Sequence, residues 1–208
     1  MLQEGLYLTM VEKTQSSDID ISIVSLSDLS EEEESCILSF SCGNEALDNF
    51  FHKEVSLCMK HHYLAAYCAK EKLSGDIVAI FTLANDAVII DSEDDKKDFI
   101  EETCSKISDE YIPTFENQTS YPAINIGHLG VRKDWQSKGI GLQIIDFVVY
   151  TFCHYKMAGC QFITVDSLNN PRTNKFYNSN YFFYQTNNDL SSPTRRMYKP
   201  LQIFKDDI

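Results

Sequence analysis

Residues 128–149 read HLGVRKDWQSKGIGLQIIDFVV: an apolar stretch breaks into a polar loop, passes two glycines one residue apart and resumes as a long apolar-periodic segment. A strand ending at Val131, a loop and a helix opening near Gly139 would bring consecutive backbone N–H groups to a helix N-terminus. Unsatisfied donors and the helix dipole there favour an anion. Glycine at 139 and 141 keeps Cβ atoms out of the way, so the run Gln136, Ser137, Lys138, Gly139, Ile140 and Gly141 could wrap a pyrophosphate. Arg132, Lys133 and Lys138 are expected to add positive charge locally. Two common phosphate patterns fail. GxGxxG would need Gly or Ala where Ile144 stands, and in the P-loop pattern the lysine follows the glycine, whereas Lys138 precedes Gly139.

What stands is Gln136-x-x-Gly139-x-Gly141 after LGVRKDW, and this resembles the signature of the GNAT family of acetyl-CoA-dependent N-acetyltransferases. The resemblance implies that the loop amides hold the CoA pyrophosphate and that Leu129, Gly130 and Val131 pair with the pantetheine arm. Downstream, NNPRTNKFYNSNYFF is similar to the family's second pattern. It places Asn170 on the residue that contacts the cofactor arm and Tyr177 on the acid that protonates the departing thiolate. Tyr181 stands where the family has Gly, so the turn after this helix is expected to differ. Upstream, FSCGNEALDNFFHKEV resembles a GNAT subgroup that includes toxin acetyltransferases acting on aminoacyl-tRNA.

A tyrosine has an ordinary pKa near 10 and a thiol one near 8.5, close enough for proton donation to a leaving thiolate. His128 is the titratable residue beside the cofactor strand, and with an ordinary pKa near 6.5 it is a candidate base for the attacking amine. His61 and His62, near Cys58 and Cys68, match no usual zinc ligand spacing, and no metal is expected.

The elements that must position these residues are those of an α/β chain, an α+β mixed sheet in the GNAT acyl-CoA N-acyltransferase arrangement that the resemblance implies. IDISIVSLS alternates as a strand, and DLSEEEES is an acidic turn or helix start. NEALDNFFHKEVSLCMKHH puts Leu47, Phe50, Phe51, Val55, Cys58 and Met59 on one face of a helix. YLAAYCAKEKLSGDIVAIFTLAN is a hairpin turning at Lys72 to Gly75. A strand–helix–strand unit covers residues 123–166, a short helix fits NPRTNKFYNS, and YFFYQTN and TRRMYKPL are closing strands. Residues 1–18 read as a flexible lead-in, and residues 19–208 as one domain with a charged helical insertion over about 91–118. That insertion is expected to be solvated and to cover an edge of the acceptor site.

A net charge of −13 from 18 basic and 31 acidic residues disfavours contact with nucleic acid or an anionic membrane and suits a cationic substrate. Seven scattered cysteines without a CxxC pair read as reduced core thiols, and no apolar run reaches membrane-span length. A cytoplasmic monomer or homodimer is expected. The activity implied is acetyl transfer from acetyl-CoA to a primary amine of a small molecule or protein. The alternatives are toxin-like acetylation of aminoacyl-tRNA, which requires Arg132, Lys133, Arg172, Lys175, Arg195 and Arg196 to cluster on one face, and a non-catalytic acyl-CoA-binding module.

Overall fold

The computed structural model describes residues 19–104 and 107–201; the lead-in at 1–18 lies outside the described residues. The chain order is β1 (Ile21–Ser25), α1 (Glu31–Ser39), α2 (Glu45–Lys53), α3 (Val55–Lys60), β2 (Ala65–Glu71), β3 (Ile77–Ile89), α4 (Glu93–Cys104), α5 (Ile112–Glu116), β4 (Ser120–Val131), α6 (Ile140–His154), β5 (Phe162–Leu168), α7 (Pro171–Ser179), β6 (Phe183–Tyr184) and β7 (Thr194–Pro200). The strands form one sheet in the order β1-β2-β3-β4-β5-β7-β6. The β4–β5 pair is parallel and the others antiparallel, which a strand–helix–strand crossover through α6 requires.

Helix α6 carries Ile140, Ile144, Ile145, Val148 and Val149 at helical spacing, all buried against Val78, Phe81, Ile126, Ile163 and Val165 on one face of the sheet. Each such side chain contributes about 1.5–3 kcal/mol of burial. The opposite face is covered in two places. At one end α1, α2 and α3 cover Cys68 and Ile80 with Ile37, Phe51 and Val55. At the other, α4 and α5 set Phe99 and Phe115 among Tyr121, Phe162 and Tyr198.

Two expectations change here. The amphipathic run from Asn44 folds as two helices, because the backbone departs from helical geometry at Glu54 (φ −115°), although its apolar face packs as the sequence indicates. The insertion is not a solvated cover: Phe99 is 1% exposed and Phe115 fully buried, so residues 91–118 build a core of their own against the sheet. The acidic run Glu31 to Glu34 opens α1 with a reciprocal Ser30–Glu33 cap, and Glu33 also binds Lys70.

The feature that creates the site is a slip in β4. Leu83 pairs with Ile126 but Thr82 with His128, leaving Gly127 as an extra residue in a bulge. At the same point β4 leaves β5, since their pairing runs from Ala123↔Phe162 to Ile126↔Val165 and stops while both strands continue. A gap therefore opens in the middle of the sheet beside Gly127–Val131.

Candidate functional site

Backbone alternation decides what lines the gap. Arg132 N–H donates to Val78 O (2.8 Å), so on the antiparallel ladder Gly130 and His128 turn their amides to β3 while Leu129 and Val131 turn theirs into the gap. At the end of β4 a cleft of about 560 Å³ begins. Leu129, Gly130, Val131, Gln136, Ser137, Gly139, Ile140, Gly141, Asn170 and Tyr177 all line it, so ten of the twelve residues singled out from sequence come together. Lys138 and His128 lie outside the lining. Lys138 is exposed, with its Nζ 4.5 Å over the Trp135 ring.

The loop before α6 presents its backbone. Ser137 (φ +61°) and Gly139 (φ +82°) take left-handed conformations, and Gly139 stands at the N-cap with no side chain to cap the helix. Among the described residues no amide from Gln136 to Leu142 donates to a backbone carbonyl; the next bond is Gln143 N–H to Gly139 O. These are the free donors an anion requires. Gly141 serves packing instead, since a Cβ there would meet Phe176 Cζ at 3.0 Å, and its bareness lets α7 close on α6.

Gln136 holds the loop in place. Its Nε2 donates to Cys42 O (2.7 Å) and Val131 O (3.0 Å), and its Oε1 accepts from Arg172 Nη2 (3.0 Å). One side chain thus ties the end of β4, the α1–α2 loop and α7 together. Asn170 caps α7 by accepting from Thr173 N–H (3.0 Å). Tyr177 is 7% exposed between Phe176 and Phe182, and burial pushes its phenol well above the ordinary range. Tyr181, where the sequence resemblance calls for glycine, has φ +61°, so this turn keeps the left-handed geometry a glycine would adopt without strain.

Sequence reasoning missed one wall of the cleft, formed by Cys42, Gly43 and Asn44. The signal was present in SCGNEALD: Asp48 accepts from Ser41 Oγ (2.6 Å) and Cys42 N–H (2.8 Å), Gly43 has φ +82°, and Asn44 caps α2. Burial and the neighbouring Asp48 hold the Cys42 thiol up, at about 11. Among the described cysteines Cys68 is buried in the core, Cys42, Cys58, Cys153 and Cys160 are half-buried against it, and Cys36 is exposed, so all but Cys36 pack with the core as the sequence suggests.

The charge pattern is selective. The chain has 31 acidic residues, yet among the described residues no carboxylate lines the cleft, and Arg172 does. Arg132 does not add free positive charge, because Asp134 (2.8 Å) and Asp76 (3.1 Å) neutralise it. Arg195 is 5% exposed and paired with Asp189, and Arg196 is paired with Asp86 and Asp166. The six cations named for a nucleic-acid surface are therefore half consumed in ion pairs. Among the described residues no three His, Cys, Asp or Glu side chains gather as a metal site, and no helix is long and apolar enough to cross a membrane.

No protein-family model matches the chain, and no curated protein matches it by sequence. Solved structures do match by fold. The structure of AtaTR bound with AcCoA shares 17% identity at a TM-score of 0.61, covering 88% of this chain and 94% of that one. A tyrosine-to-phenylalanine mutant of KacT shares 16% at 0.65, covering 90% and 99%. AtaT complexed with acetyl-methionyl-tRNAfMet shares 17% at 0.64, covering 87% and 95%. The described chain has the GNAT acyltransferase fold.

Proposed function

We propose that this protein is an N-acetyltransferase that takes an acetyl group from acetyl-CoA and places it on a primary amine. The observation that carries this reading is a cleft in an acidic chain that no carboxylate among the described residues lines, headed by the amides of Ser137–Leu142 at the start of α6, which donate to no backbone carbonyl among those residues. A pyrophosphate fits that head, and the Leu129 and Val131 backbone groups facing the gap fit an extended amide-bearing arm. Acetyl-CoA supplies the activated thioester. An N–H of Leu129 or Val131 would stabilise the oxyanion as the amine adds. Tyr177, on the cleft wall, would protonate the departing sulfur. Tyrosine-to-phenylalanine forms of AtaT and KacT are among the solved structures that share this fold.

The acceptor is proposed as an amine on a small molecule or a protein. A second reading, acetylation of aminoacyl-tRNA, is favoured by the fold's likeness to AtaT complexed with acetyl-methionyl-tRNAfMet. The net charge of −13 and the ion-paired Arg132, Arg195 and Arg196 oppose it. Incubation with acetyl-CoA and a panel of amines, peptides and charged tRNAs, read by release of free thiol, tests both. Thiol release with one class assigns the acceptor. Binding of acetyl-CoA without release from any acceptor would leave a non-catalytic acyl-CoA-binding module.

A further inference from the structure

Arg172 stands apart from the other arginines of the chain. Arg132, Arg195 and Arg196 each bind a carboxylate, whereas Arg172, exposed at the start of α7, binds none among the described residues. It is nevertheless aimed. Its Nη2 donates to Gln136 Oε1 (3.0 Å), and Gln136 is itself fixed by its bonds to Cys42 O and Val131 O. The guanidinium thus leans from the α7 wall of the cleft toward the wall formed by the α1–α2 loop. It spends one N–H on a neutral acceptor, and its remaining donors make no hydrogen bond among the described residues.

Two lysines edge the same cleft. The Lys133 stem lies over Gly43, where an added Cβ would meet Lys133 Cδ at 3.8 Å, and Lys138 Nζ sits 4.5 Å over the Trp135 ring. Gly43 and Trp135 both line the cleft. Neither lysine makes an ion pair among the described residues, and Asp134, the carboxylate near Lys138, is held by Arg132 at 2.8 Å.

Charge and depth separate two kinds of donor phosphate. The loop amides at the head of α6 are neutral donors and suit a pyrophosphate, whose charge is spread along an anhydride. A phosphate monoester instead carries about two negative charges at neutral pH and takes a planar guanidinium on two oxygens at once. CoA bears such a monoester on the 3′-oxygen of its ribose, at the end of the molecule that stays outside the sheet. Exposed long cations at the rim match it, as the buried amides do not.

Resting on acetyl-CoA as the donor in this cleft, we propose that Arg172 reads the 3′-phosphate of the donor. Gln136 aims the guanidinium before the donor arrives, so less side-chain freedom is lost on binding. Lys133 and Lys138 add attraction without fixing geometry. The consequence is a donor class: CoA thioesters are taken in preference to their dephospho forms and to acyl groups on protein-bound phosphopantetheine, both of which lack that monoester.

Dissociation constants of CoA, dephospho-CoA and 4′-phosphopantetheine, measured by calorimetry on the full chain, test this without relying on turnover. The parent should bind CoA about tenfold to a hundredfold more tightly than dephospho-CoA, the range of a hydrogen bond to a charged group, and 4′-phosphopantetheine should bind no better than dephospho-CoA. Arg172→Gln should erase most of that preference by weakening CoA alone, and Arg172→Lys should keep part of it. Lys133→Gln and Lys138→Gln should each reduce it by about two- to threefold, an effect that high salt removes. Equal affinity of the parent for CoA and dephospho-CoA overturns the assignment and leaves the donor reading intact. So does an Arg172→Gln chain that loses both ligands alike, since that is the effect of a broken tie to Gln136. A parent that binds neither CoA nor dephospho-CoA overturns the donor reading and this assignment together.

Discussion

Replacing Tyr177 by Phe separates chemistry from packing, because the two predict opposite signs. The ring is 7% exposed and held between Phe176 and Phe182, contacts that phenylalanine preserves. The hydroxyl has no hydrogen-bond partner among the described residues, so deleting it removes a poorly solvated polar group. The apo protein should be unchanged or stabilised, by at most about 1 kcal/mol, which for a chain of this size is roughly 2–4 °C in Tm. Catalysis should move the other way. Burial holds the phenol above its ordinary range, so the donor stays protonated throughout the assay range but is a reluctant acid toward a thiolate. That places its contribution near the lower end of general acid catalysis, about a hundredfold in kcat, or ~2.7 kcal/mol. Acetyl-CoA affinity should be retained. Thermal melting with and without acetyl-CoA, together with steady-state thiol release, reads all three quantities. Equal turnover in the variant would make Tyr177 a packing residue, and a Tm lowered by several degrees would show that the hydroxyl is bonded within the fold.

Three further outcomes follow from the geometry. Saturating acetyl-CoA at 100 times its dissociation constant should stabilise the parent by about 2.7 kcal/mol. Gly139→Ala, which places a Cβ at φ +82°, should lose that shift and cost the apo protein about 1–2 kcal/mol, read by melting. Phe99→Ala should destabilise by about 3–5 kcal/mol in urea unfolding, because the ring is 1% exposed at the centre of the α4–α5 cluster. Tyr181→Gly relieves a bulky residue at φ +61°, about 1–2 kcal/mol, and gives up a Lys199–ring contact at 5.2 Å worth about 0.5–1 kcal/mol. Its Tm should rise by a few degrees, and a fall would show that the ring contact outweighs the strain.

The phosphate-type loop is legible in the sequence because everything that makes it is local: a strand end, a glycine at the αL position and an apolar-periodic helix. Asn170 and Tyr177 are legible for the same reason, since one caps and the other rides on a single short helix beside the loop. The gap is not legible. It depends on which residue of β3 faces which residue of β4, and a slip of one residue at Thr82 and Leu83 leaves no mark on periodicity beyond a glycine at 127. Long-range partners are equally silent. Nothing near Gly141 announces Phe176, and nothing near Arg132 announces Asp76. The insertion misled because the charge of α4 outweighed the helical spacing of Phe99 and Ile100, which is what sets its inner face into a core.

The two sides of the sheet divide the electrostatic work, and this bears on the acceptor. Among the described residues, the cleft proposed for an anionic donor is clear of carboxylates, with amides that bond no backbone carbonyl and Arg172 in their place. The opposite face carries Asp86 and Asp166, and the arginine beside them is shared by both. A polyanion approaching that face would meet carboxylates and find the Arg196 charge already matched, whereas a cationic amine would meet groups that favour it on approach. Long-range attraction to a polyanion needs unpaired cations arrayed over a surface. Of the six the sequence offers, Lys133, Arg172 and Lys175 make no ion pair among the described residues, and Arg172 lines the cleft proposed for the donor. That face therefore suits a cationic amine better than a nucleic-acid backbone, and a charged tRNA that proved to be the substrate would have to be held through contacts at its aminoacyl end.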